Sequence, residues 1–278
     1  MKGLIIKNIS NDYLVKTAKG NYLCKARGKF RNENITLLVG DRVIIDENNK
    51  IITDIETRKN YLIRPSVANI DQSLIVTSVK SPDFSTNLLD KLLLIISYNN
   101  IEPIICLTKL DLLNKEEKIE IDDYINYYSS IGYKVITNEN KNNFKNVFKD
   151  KITVLTGQSG AGKSSLLNML DKNLELKTNE ISKALGRGKH TTRHTELYEV
   201  NGGYVVDTPG FSAIDLTNIP KVAIRDNMKE MFENLDKCKY RDCMHLKEDG
   251  CEVKRKVNNN EIKISRYTNY KNFIEGKW

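Results

Sequence analysis

The 278-residue chain has no apolar run approaching the ~18 residues that a membrane-spanning helix needs. Its richest apolar window, Leu88 to Ile96, is interrupted by Asp90 and Lys91, and the first twenty residues carry charges where a secretion signal would be apolar. These absences predict a soluble, cytoplasmic protein with no membrane partner. Cysteine is sparse too, at five residues, and two of them, Cys24 and Cys106, stand alone in strand-like runs. The other three, Cys238, Cys243 and Cys251, gather with His245, which argues against a secreted disulfide framework and for a metal site. Internal repeats are lacking. What is present, 40% hydrophobic and 29% charged residues, is globular composition sufficient for two or three small domains, and it excludes fibrous and disordered classes.

Positive charge is in excess and unevenly spread. Lys and Arg outnumber Asp and Glu by 44 to 36, a net +8. Residues 1–64 hold 13 against 7, residues 65–220 hold 17 against 19 and residues 221–278 hold 14 against 10, so the balance runs +6, −2, +4. Basic flanks around a near-neutral centre suggest ends that meet a polyanion and a centre with another task. The plain alternative is a Lys- and Asn-rich proteome.

Residues 1–64 read as five short strands at close spacing, 4–9, 13–17, 22–26, 35–45 and 50–55, without a helix. A small β-barrel of OB-fold type is the expectation, and binding of oligonucleotides is one recurrent use of that fold. From Pro65 apolar strands (73–79, 103–107, 134–137, 152–156, 203–206) alternate with amphipathic helices (87–98, 115–130, 163–171), the pattern of an α/β domain with a mainly parallel sheet. After Pro220 the chain turns helical and cysteine-containing. The expected domains are therefore 1–64, 65–220 and 221–278.

Gly157, Gln158, Ser159, Gly160, Ala161, Gly162, Lys163 and Ser164 fit G-x-x-x-x-G-K-[ST], between a strand-like run and a helix-like one that continues with Ser165. Glycines let the backbone curl its N–H groups inward and the following helix adds its positive end, so the oxygens of a di- or triphosphate are held by main-chain donors. Lys163 would reach the β- and γ-phosphates and Ser164 would ligate Mg²⁺. Asp207-Thr-Pro-Gly210 follows an apolar strand as a D-x-x-G element, with Asp207 on Mg²⁺ through water and the Gly210 N–H near the γ-phosphate. Thr108-Lys109-Leu-Asp111 places a carboxylate at the end of another strand, where ligands bind in such sheets. Asp111 can accept two hydrogen bonds from guanine that adenine cannot supply, and an unpaired carboxylate penalises the wrong base. GTP and GDP are thus the expected nucleotides.

The element at 108–111 precedes the phosphate loop at 157–164 instead of following it. In that circularly permuted order the chain resembles the ribosome small-subunit-dependent GTPases, the RsgA/YjeQ family. Further points of likeness are Arg64-Pro-Ser-Val-Ala-Asn-Ile-Asp-Gln72, Gly186-Arg-Gly-Lys-His-Thr-Thr-Arg-His194, Asp207-Thr-Pro-Gly-Phe211 and the Cys/His cluster. The resemblance spans essentially the whole chain. It implies a multidomain protein: an N-terminal OB-fold barrel, a central circularly permuted P-loop GTPase domain and a C-terminal, mainly helical zinc-binding domain. It also implies GTP hydrolysis on the small ribosomal subunit and its rRNA late in maturation, by a monomer.

Residues 186–194 lie where the first switch belongs, with Thr191 or Thr192 as second protein ligand of Mg²⁺ and Thr191 slightly preferred. Phe211 stands where many GTPases place a Gln that orients the attacking water. In the family that this chain resembles, a switch histidine is proposed for that role, which points to His190; a solvent-exposed loop histidine is the alternative reading. Cys238, Cys243, His245 and Cys251 offer three thiolates and an imidazole, a closed structural zinc set with no open catalytic position, matched ligand for ligand by the resemblance. GTP is expected to order residues 186–216 and so to fix the C-terminal segment. Two other readings stay open: an RNA-binding assembly factor for which GTP is a locking ligand, and a small-molecule nucleotide phosphatase.

Overall fold

A computed structural model of the chain describes residues 1–62, 66–139, 141–144, 146–170, 195–207 and 216–277. In chain order its strands are β1 (Lys2–Ile9), β2 (Asp12–Thr17), β3 (Gly20–Ala26), β4 (Arg42–Asp46), β5 (Ile51–Ile55), β6 (Tyr61–Leu62), β7 (Val67–Ala68), β8 (Gln72–Ser78), β9 (Glu102–Thr108), β10 (Lys134–Thr137), β11 (Ile152–Thr156), β12 (Leu197–Val200) and β13 (Gly203–Asp207). The described helices are α1 (Lys29–Asn32), α2 (Thr86–Tyr98), α3 (Lys115–Ser130), α4 (Lys163–Leu170), α5 (Lys221–Asp226), α6 (Lys229–Glu233), α7 (Glu252–Asn258) and α8 (Ile264–Glu275). Two compact units interleave in sequence: Met1–Leu74 with Asn138–Thr156 and Gly162–Phe211, and Ile75–Thr137 with Gly157–Ala161 and Ser212–Trp278.

The first unit contains a closed barrel in the order β1-β2-β3-β5-β4, antiparallel except between β3 and β5. Alternate residues fill it, with Ile5, Val15, Cys24, Val43, Ile45 and Ile52 all buried. Two details depart from the sequence reading. Lys29–Asn32 forms a short helix whose Phe30 is buried at 2% exposure. The strand expected from residue 35 starts only at Arg42, because the chain turns back at Asp41. The buried Asp41 carboxylate accepts the Leu38 N–H at 2.7 Å and is clamped by Arg58 at 2.7 and 2.8 Å. Gly40 beside it has φ +88, and a Cβ there would lie 2.1 Å from the Ala68 oxygen. A turn this tight excludes a continuous strand.

The α/β strands form one sheet ordered β10-β9-β8-β11-β13-β12, with β9/β10 and β11/β13 parallel and β12 an antiparallel edge. Every residue of β8 and β11 is buried, as parallel strands covered on both faces should be. β12 was not expected from the sequence. In the second unit α2 starts on the Ser85 cap and α3 on a capping box between Asn114 and Glu117. Leu94 of α2 joins Ile224, Met228, Met231, Tyr267, Tyr270 and Phe273 in one apolar core, so the C-terminal helices share a core with an α/β helix.

Candidate nucleotide site and metal centre

The buried strand β11 delivers the chain into a loop built on left-handed glycines: φ is +126 at Gly157, +77 at Gly160 and +92 at Gly162. A Cβ at Gly157 would sit 1.9 Å from the Val76 carbonyl oxygen, so no other residue fits. The Ala161 N–H closes a turn onto the Gln158 carbonyl at 3.2 Å, and α4 begins with the Leu166 N–H on the Gly162 oxygen at 2.9 Å. Ser159, Gly160, Ser164 and Ser165 are exposed, Ala161 is buried and Lys163 opens α4 half-buried. Inward N–H groups ahead of a helix N-terminus make an anion cradle.

β9 leads into the turn at 108–111 that the sequence marks as the expected base reader. Thr108 is 1% exposed and its hydroxyl donates to the Ala161 carbonyl at 2.6 Å, tying this turn to the phosphate loop. Lys109 adopts the left-handed conformation (φ 63, ψ 31) and its ammonium donates to the Ser81 carbonyl. Leu110 is buried and anchors the short 3-10 turn Leu110–Leu112, which leaves Asp111 exposed with no partner among the described residues. Thr137 of β10 pairs with Leu107, so the segment after β10 leaves the sheet beside this turn. Asp207 ends β13 in register with Leu155 of the phosphate-loop strand. His190, Thr191, Thr192, Gly210 and Phe211 lie outside the described residues.

Strand β12 is joined to the barrel through the residue that precedes it, Glu196. A register shift in β1 between Ile5 and Lys7 accompanies a main-chain bridge from Lys7 to Glu196, whose side chains pair at 2.8 Å. Lys16 pairs with Glu199, and its ammonium lies 5.6 Å from the Tyr204 ring centre.

Cys238, Cys243, His245 and Cys251 converge, with their ligand atoms all within 4.8 Å of one another. The His245 Nε2 is 3.0 Å from the Met231 carbonyl, which can only accept, so Nε2 carries the proton and Nδ1 keeps its lone pair toward Cys251 and Cys238 at 3.3 and 3.6 Å. The Glu248 carboxylate pins the intervening loop by accepting the N–H groups of Met244, Leu246 and Lys247 at 2.7 to 2.9 Å. Burial lowers the His245 pKa and, with nearby thiols, pushes Cys243 up to about 12. A neutral imidazole among one half-buried and two buried cysteines suits a divalent cation such as zinc, which would replace the thiol protons. These residues can hold a metal.

The RsgA GTPase model matches residues 55–217 and the RsgA N-terminal domain model matches residues 2–52. The chain belongs to the RsgA GTPase family. Among its relatives are the small ribosomal subunit biogenesis GTPases RsgA 2 of Oceanobacillus iheyensis, 46% identical over 99% of this chain and 96% of its own, and RsgA of Enterococcus faecalis, 46% identical over 99% and 94%. The crystal structure of YloQ, a circularly permuted GTPase, superposes with a TM-score of 0.85 at 37% identity, covering 99% of this chain and 94% of that one. YjeQ from Thermotoga maritima gives 0.86 at 34% identity, covering 99% and 98%. As a member of the RsgA GTPase family, the chain is a GTP hydrolase on a circularly permuted fold.

One feature of this RsgA GTPase lay outside the motifs. Arg266 on α8, 1% exposed, donates to Asp90 of α2 at 2.6 Å and to Glu230 of α6 at 2.9 and 3.2 Å. Tyr128 and Asn269 donate to Asp90 at 2.6 Å, and Tyr127 to Glu230 at 2.7 Å. Burial opposes the Glu230 charge, yet the Arg266 guanidinium outweighs it and holds the carboxyl below its ordinary range. The one sequence signal was Asp90 itself, a carboxylate interrupting an apolar helix.

Proposed function

We propose that the chain hydrolyses GTP on the small ribosomal subunit late in its maturation and uses turnover to switch its hold on rRNA. The observation that carries this reading is the Thr108–Ala161 hydrogen bond, which joins a base-reading turn to a phosphate cradle that follows it in the chain. The relatives are small ribosomal subunit biogenesis GTPases, and that kinship supplies the ribosomal particle.

In this reading residues 1–64 form the RNA-facing barrel, 65–220 the GTPase domain and 221–278 the zinc-bearing domain. Asp111 accepts guanine hydrogen bonds, and Thr108 and Lys109 hold it in place. Residues 157–165 cradle the phosphates, with Lys163 on the β- and γ-oxygens. Mg²⁺, when bound, neutralises the charge that develops on those oxygens; Ser164 and Thr191, with Thr192 as substitute, are its protein ligands, and Asp207 holds it through water. The Gly210 N–H faces the γ-phosphate, and His190 orients the attacking water where Phe211 cannot. Cys238, Cys243, His245 and Cys251 hold one structural zinc, and the chain acts in the cytoplasm as a monomer.

The test is GTP turnover by the purified chain alone, with small subunits and with large subunits. Stimulation by small subunits alone is expected. Equal rates in all three would leave a nucleotide phosphatase, and binding to small subunits without stimulation would leave an assembly factor locked by GTP.

A further inference from the structure

Several charges of the C-terminal segment are ion-paired. Arg255 pairs with Glu252 and Glu261, Lys256 with Glu261, Lys263 with Asp123, Lys277 with Glu275 and Arg225 with Asp226. One loop gathers three cations outside those pairs within five residues. At 237–241 the exposed Lys237, Lys239 and Arg241 form no ion pair among the described residues, and between them Tyr240 is left 43% exposed. The Lys239 ammonium lies 5.3 Å from the Tyr240 ring centre.

The loop is held in place. It contains one residue of the Cys/His cluster, Cys238, and leads into a second, Cys243. The Lys239 N–H donates to the Gly250 carbonyl at 3.0 Å and the Cys243 N–H to the Tyr240 carbonyl at 3.3 Å. Lys239 also packs across Gly250, whose added Cβ would lie 3.0 Å from the Lys239 Cβ. An aromatic ring presented on a fixed backbone loses little freedom when a ligand stacks on it.

We infer that loop 237–241 binds an unpaired RNA nucleotide, its base stacked on Tyr240 and its phosphates on Lys237, Lys239 and Arg241. The inference rests on the ribosomal reading above and adds a contact to it. A π-face is available only on a nucleotide turned out of a helix, because duplex bases are covered by their neighbours. Asp236 and Asp242 flank the loop and are exposed, so the cations are too few for a long backbone track and suit one nucleotide.

The test uses the full chain loaded with a non-hydrolysable GTP analogue. Its affinity is measured for an oligouridine of about ten nucleotides, a length within the site sizes such platforms cover. An RNA duplex of equal length and a Glu-rich peptide are measured beside it. Tyr240→Ala should weaken oligouridine binding roughly 5- to 150-fold, the size of one lost base stack, while Tyr240→Phe retains it. Arg241→Ala should reduce the salt dependence by about 0.7 in log–log slope. Basal GTP turnover should stay unchanged in all three variants. Wild-type affinity in Tyr240→Ala, an equal loss in Tyr240→Phe, or tighter binding of the duplex or the peptide would overturn the inference. Failure of the unmodified chain to bind small subunits would instead remove the ribosomal reading, and the oligouridine result would stand apart from it.

Discussion

Lys7 and Glu196 meet at 2.8 Å with side chains 35% and 24% exposed, whereas Arg266 meets Asp90 at 2.6 Å and Glu230 at 2.9 Å with none of the three more than 3% exposed. The first contact joins the barrel to edge strand β12; the second joins the C-terminal helices to α2. An exposed pair contributes about 0–1 kcal/mol and is screened by salt. A buried, multiply hydrogen-bonded charge group is insulated from salt, and losing one member strands the others. The Lys7–Glu196 pair is therefore a contact that solution conditions can loosen, beside the main-chain bridge at the same residues. The C-terminal helices are built into the unit that carries Thr108–Asp111. Helices α2 and α8 share one apolar core.

The harshest challenge to the C-terminal helices is to withdraw any cation that Cys238, Cys243, His245 and Cys251 hold. A structural zinc in so small a segment is worth ~10 kcal/mol or more of folding free energy. Exhaustive chelation should expose residues 238–251 to protease while the barrel keeps its resistance, as read by limited proteolysis and mass mapping. Unchanged cleavage across 238–251 would show that the buried core holds this segment without a metal.

Arg266→Met attacks the joint between the C-terminal helices and α2 from its centre. It leaves Asp90 and Glu230 buried without their cation, and the expected loss is about 3–5 kcal/mol in urea denaturation. Adding Asp90→Leu and Glu230→Leu should recover most of it, because the stranded charges are then gone. A loss below about 1 kcal/mol for the single variant would place this triad in the class of surface pairs.

Why this joint escapes sequence reading is a matter of distance. Arg266 and Asp90 are 176 positions apart, and Thr108 and the Ala161 carbonyl 53. No local periodicity encodes such a partner. Helix α3 and strands β10 and β11 begin and end where the pattern predicted, because the Asn114–Glu117 capping box and uninterrupted apolar runs are local signals. The phosphate loop is legible for the same reason, since Gly157 is dictated by its contact with the Val76 carbonyl and leaves a fixed spacing. Strand β12 is four residues whose pairing is set by β13, and the 35–41 run is apolar enough to mimic a strand until Asp41 and Gly40 turn it.

Within the second unit, Thr108→Val separates positioning of the base-reading turn from its chemistry. The substitution keeps the shape and deprives the buried Ala161 carbonyl of its donor, at an expected cost of about 1–3 kcal/mol. Calorimetric GTP affinity should fall accordingly while preference for GTP over ATP persists, because Asp111 is untouched. Loss of that preference would mean that the turn cannot hold Asp111 without this hydrogen bond.

The smallest effect belongs to the exposed joint. Lys7→Ala should cost under about 1 kcal/mol at low ionic strength, and the cost should fade as salt rises past ~0.5 M, where the screening length is only a few ångströms. The main-chain bridge from Lys7 to Glu196 survives the substitution, so the barrel stays beside β12 but less tightly held. Comparing Lys7→Ala with Arg266→Met by hydrogen exchange at both salt concentrations isolates the contrast. Faster exchange should appear at β12 and the neighbouring turn of β1 in the first variant, and in α2, α6 and α8 in the second. A salt-independent penalty in Lys7→Ala would mean that the Lys7–Glu196 pair is shielded by barrel and strand together, and that both ends of the molecule are held by joints of the same kind.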